Sequence, residues 1–116
     1  MSKILTKLES LAGTQCSVLY SQGQSAFSTF PVEKSRYAKL AYQAFHHIFK
    51  HAHRVNTKYD EAHLQIGNER YICFQVAQEC FYISLLPPKS DINKAQKVIR
   101  GAHKVLTKLH NSTAPT

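Results

Sequence analysis

The sequence is poor in the residues that staple, cradle or catalyse. Three cysteines in 116 residues cannot close a disulfide framework, and no Cys-x-x-Cys or zinc-finger spacing occurs. The thiols are expected to stay reduced, which points to a cytoplasmic protein. No apolar run approaches the ~20 residues that span a bilayer. Lysine interrupts the opening Met1-Ser2-Lys3-Ile4-Leu5-Thr6-Lys7 too early for a secretory signal. The four glycines are dispersed, so there is no phosphate-cradling loop. Carboxylates are scarce, seven against fifteen lysines and arginines. Asp60 and Glu61 are adjacent, and neighbours on a strand point to opposite faces, so they cannot act as a paired acid and base. These absences predict a protein that is not an enzyme and carries no cofactor.

What is present has a globular balance: 43% apolar and 19% charged residues, enough to fold without staples at this length. One domain over residues 1–110 is expected, followed by a polar tail at 111–116. The net charge of +8 is segregated. Residues 33–58 carry six cations against Glu33, and residues 89–116 carry six against Asp91. Between them, Asp60, Glu61, Glu69 and Glu79 outnumber Arg70.

Ile4, Leu5, Leu8 and Leu11 recur at helical spacing over Lys3–Leu11, with Gly13 placed to end the helix. Gln15–Tyr20 and Ser25–Phe30 read as a β-hairpin turned at Ser21-Gln22-Gly23 and closed by Pro31. Val32–Val55 is the longest periodic stretch. Its apolar positions, Tyr37 to Ala52, cover roughly half the helix circumference, wider than the ~100° stripe of a helix packed on one side. Such a helix should bury two surfaces, one on a sheet and one on a partner.

Tyr59–Ile66 alternates, with Ala62, Leu64 and Ile66 opposite Glu61, His63 and Gln65, as in an exposed edge strand. Gly67-Asn68 is the expected turn. Arg70–Val76 and Cys80–Leu86 are apolar on both faces and belong in mid-sheet, linked by Ala77-Gln78-Glu79. A final helix, capped by Ser90, presents Ile92, Ala95, Val98, Ile99, Ala102, Val105, Leu106 and Leu109 inward. Lys94, Lys97, Arg100, Lys104 and Lys108 form its outward basic stripe. The expected fold is α+β: a five-stranded antiparallel sheet in the order α-β-β-α-β-β-β-α.

This order, with the segment Leu19-Tyr20-Ser21-Gln22-Gly23-Gln24-Ser25-Ala26, resembles the roadblock family of dynein light-chain type, a relative of the longin domains. The segment is similar to the family's first hairpin, with Gln22 where Asp is usual. The resemblance runs from Lys3 to about Leu109. It implies the long helix on one sheet face and the terminal helices on the other. It also implies a dimer, with itself or with another roadblock chain, in which third strands pair edge to edge and long helices run antiparallel. Leu40, Ala44, His47, Ile48 and His51, with Tyr59, Ala62, His63 and Leu64, are carried onto that seam by element. The functions it implies are scaffolding, dynein cargo work and regulation of Ras-like small GTPases, none with catalytic residues in this domain.

Other chemistry is weighed beside it. His47 and His51 lie four apart on the long helix and could hold a metal with His63 as third ligand, but the bland reading places them beside the seam, where titration would make association pH-sensitive. Cys16, Cys73 and Cys80 read as core, with Cys73 and Cys80 not facing each other. The basic helix faces make a nucleic-acid module the rival function, and an acidic protein or anionic membrane surface is a further partner class. A sensor with an apolar pocket between sheet and long helix is a third reading.

Overall fold

The computed structural model describes residues 2–54, 61–66, 68–77, 79–87 and 91–113. The elements are α1 (Ser2–Ala12), β1 (Cys16–Ser21), β2 (Gln24–Ser28), a 3-10 turn (Val32–Lys34), α2 (Ser35–Arg54), β3 (Glu61–Ile66), β4 (Glu69–Ala77), β5 (Cys80–Leu86), α3 (Ile92–Gly101) and α4 (His103–Thr113). The strands form one antiparallel sheet in the order β2-β1-β5-β4-β3.

Alternation along the central strands divides the core in two. On one face, Val18, Tyr71, Cys73, Phe81, Ile83 and Leu85 lie under Ala38, Ala41, Phe45 and Phe49 of α2. On the other, Leu19, Ile72, Phe74, Tyr82 and Leu86 lie under α1, α3 and α4. The α1 side contributes Leu5, Leu8 and Ala12, spaced for one helical face. Gly13 then turns the chain at φ +77°, and the amides of Gly13 and Thr14 satisfy the Glu9 carbonyl. Glu9 is itself drawn inward, where its carboxylate accepts from the hydroxyls of Ser17 and Thr29, both at 2.6 Å.

The first hairpin closes on two left-handed residues, Gln22 (φ 54°) and Gly23 (φ 82°), between the paired Ser21 and Gln24. That geometry matches the strand twist, which is why so short a turn works. β2 stops at Ser28 rather than Phe30, with a bulge in the register opposite Leu19 and Tyr20. The link between β4 and β5 is tighter than expected, because Ala77 already pairs with Cys80.

The C-terminal helix differs from expectation. Its first amides are capped by Asp91, whose side chain accepts from the Lys94 amide at 3.1 Å; Ser90 lies outside the described residues. The helix also breaks. Ala102 leaves helical geometry at φ −94°, ψ 8°, immediately after Gly101, a weak helix former. The break lets α4 leave the α3 axis and bury Leu106 and Leu109 against the sheet side. The expected long helix likewise begins as the 3-10 turn and becomes α-helical only at Ser35.

All three cysteines are buried, Cys16 and Cys73 on the α2 side and Cys80 on the other. Burial pushes the Cys16 thiol up to about 11, helped by Glu9, and the Cys80 thiol up to about 12; it also raises Cys73. The thiolate is the reactive form, so these groups should be inert at neutral pH. A colorimetric disulfide reagent at pH 7.5 should label none of them within minutes in the native protein and all three in guanidinium. Rapid native labelling would contradict their burial.

Candidate interaction surface

The lateral placement of α2 decides what it can touch. Tyr42 stacks on Tyr20 of β1 with ring centroids 4.3 Å apart. His46 stands edge-on to Phe81 and lies 3.4 Å from the Glu79 carboxylate. These contacts turn one flank of α2 toward β1 and β5. At ~100° per residue the opposite flank carries Leu40, Ala44 and Ile48, and it therefore lies on the side of β4 and β3. Leu40 is 48% exposed and Ile48 40%, high values for large apolar side chains at mid-helix. His47 and His51 are exposed beside them.

The neighbouring sheet edge is β3, which among the described residues pairs only with β4. Its register sets Ala62 opposite Cys73 and Leu64 opposite Tyr71, so both side chains join the α2 face, half-buried. Leu40, Ala44, Ile48, Ala62 and Leu64 thus share one side of the sheet. His63 does not. It projects to the other face, where Nε2 meets the Glu61 carboxylate at 2.6 Å. The idea that His63 completes a metal site with His47 and His51 fails on that alternation. No trio of metal-ligating side chains occurs among the described residues. Tyr59 lies outside the described residues.

Sequence reasoning missed the group that organises the far face of β3. Glu61 is nine-tenths buried, and its carboxylate accepts from His63, from the Gln96 amide of α3, and from Arg100 Nη2 at 2.5 Å. Arg100 also lies over the Phe74 ring, 5.4 Å from its centroid. Arg100 therefore serves as a clasp between α3 and the sheet edge, unlike the other members of the expected basic stripe. Lys94, Lys97, Lys104 and Lys108 are exposed. Burial alone would push the Glu61 carboxyl up. The hydrogen bonds from His63, Gln96 and Arg100, with the Arg100 charge, outweigh it and hold the group below its ordinary value. The clue in the sequence was a lone acid on a strand face and a lone arginine among lysines; only the register joins them.

Beside the clasp, Phe74, Val76, Ile99, Arg100, His103 and Leu106 line a shallow groove of about 120 Å³. Among the described residues, Phe45, Phe49, Tyr71 and Phe81 pack between the sheet and α2, each at most 2% exposed. No described helix is long and apolar enough to cross a membrane.

No protein-family model and no curated protein sequence matches the chain. Solved structures do. Myxococcus xanthus MglB superposes with a TM-score of 0.76 at 16% identity, over 97% of this chain and 98% of that one. An MglB with a tetrameric arrangement gives 0.79 at 11% identity, over 97% and 88%. A Roadblock/LC7 domain from Streptomyces avermitilis gives 0.69 at 13% identity, over 90% and 95%. With the sheet order, the long helix on one face and the terminal helices on the other, these likenesses establish that the chain has the roadblock/longin-like fold.

Proposed function

We propose that this chain is a non-catalytic roadblock-type regulator or scaffold, working as a dimer and engaging a Ras-like small GTPase or assembling a protein complex. The observation that carries the reading is the part-exposed apolar flank of α2, Leu40, Ala44 and Ile48, beside β3, the last strand of the described sheet. A second copy, or another roadblock chain, would cover both at once. Pairing β3 edge to edge removes an open ladder that would otherwise invite aggregation. Burying ~800 Å² per subunit is ordinary for a stable dimer. That one similar structure is described as a tetrameric arrangement supports association as a habit of the fold.

Sedimentation at micromolar concentration should give a dimer. The double substitution Leu40→Asp, Ile48→Asp should give a folded monomer, because both side chains are already part-solvated in one subunit. A monomeric parent protein refutes the seam. The partner is tested by affinity capture from lysate with mass spectrometry. A small GTPase retained by the parent and lost from the monomer supports regulation; a multi-subunit assembly retained instead supports scaffolding.

A further inference from the structure

The side of the sheet opposite α2 is a layer of three helices whose charge is nearly all of one sign. Lys3 and Lys7 on α1, Lys94 and Lys97 on α3, and Lys104 and Lys108 on α4 are all exposed. The only carboxylate on these helices is Glu9, which is buried against Ser17 and Thr29. Asp91, just before α3, caps it. None of the six lysines forms an ion pair among the described residues. Leu11 and Val105 stand in the same layer, 52% and 40% exposed. α1 packs on α3 and α3 leads directly into α4, so the six charges belong to one continuous face. That face lies across the sheet from the α2 flank and is left open by the proposed seam.

From this arrangement we infer that the α1–α3–α4 face docks on an anionic lipid surface. Lysine is a compact, strongly hydrated charge on a flexible stem, suited to diffuse attraction toward a plane of negative headgroups. Exposed leucine and valine among lysines match helices that rest at the headgroup boundary. The same face lacks what nucleic acid uses. α1, α3 and α4 contain no phenylalanine, tyrosine or tryptophan to stack a base. Their one arginine has part of its guanidinium committed to Glu61 and lies over the Phe74 ring. Each lysine near the surface is worth about a five-fold change in partitioning.

The test is flotation of the full chain with vesicles of phosphatidylcholine alone, or with a third phosphatidylserine, at 0.1 M salt. Binding is expected only to the phosphatidylserine vesicles and should fall steeply as salt rises. Lys97→Glu with Lys104→Glu should reduce it by at least a hundred-fold. Lys39→Glu with Lys50→Glu, the same charge change on α2, should reduce it much less. Thermal melts of both variants matching the parent keep the comparison valid, and Lys97→Ala with Lys104→Ala is the milder pair if the reversals unfold. Four results overturn the inference: no binding to phosphatidylserine vesicles, equal binding to phosphatidylcholine, equal losses from the α2 and α3–α4 pairs, or tighter binding to duplex DNA or polyglutamate than to the acidic vesicles at the same salt.

Discussion

Phe45→Ala should destabilise the fold by about 3–5 kcal/mol and lower the melting temperature by roughly 15 °C or more. Phe45 is fully buried between α2 and the sheet, in the layer that includes Phe49, Tyr71 and Phe81. Removing the ring leaves a hole bordered by strands β4 and β5, which are fixed by ladders on both sides and cannot close it. Leu40→Ala on the same helix should cost the fold of one subunit under about 1 kcal/mol, since nearly half of that side chain already meets water. Urea denaturation separates the two. Similar losses at both positions would mean that α2 is rotated from the orientation described.

Glu61→Ala should cost about 1.5–3 kcal/mol, because it strands Gln96, Arg100 and His63 without their shared acceptor. The lower part of that range reflects Arg100, whose exposed portion can turn to water. The group also links stability to pH. Its folded pKa lies below its ordinary value of 4.5, so the contribution is complete above that value. It is lost as pH falls through the folded pKa. Denaturation curves from pH 7 down to pH 3 should show the parent losing stability in that window, and Glu61→Gln should flatten that part of the profile. An unchanged acid limb in Glu61→Gln would remove the clasp from the account.

These two positions also mark what the sequence reveals and what it hides. Phe45 is readable because a helix repeats every 3.6 residues and its apolar positions name the buried face directly. The same periodicity exposes the excess at Leu40, Ala44 and Ile48. Glu61 is not readable, because alternation tells which residues share a face of β3 but not which layer that face meets. The same ambiguity lets the sequence pattern group His63 with His47 and His51. The register, Glu61 opposite Phe74 and Ala62 opposite Cys73, assigns the faces, and it depends on a partner strand far from either helix. The break at Ala102 escaped because the apolar spacing from Ile92 to Leu109 runs on almost unbroken. One glycine, at 101, and the pull of Leu106 toward the sheet outweigh that continuity.

The strand order has a consequence for biosynthesis. β1 sits between β2 and β5, with Val18 facing Ile83 roughly 65 positions later. A chain emerging from the ribosome therefore presents its first hairpin and two helices long before the strand that completes their floor exists. Until Cys80–Leu86 has left the exit tunnel, Leu5 of α1 and Phe45 of α2 have no complete sheet to cover, and the nascent half must be shielded by other means.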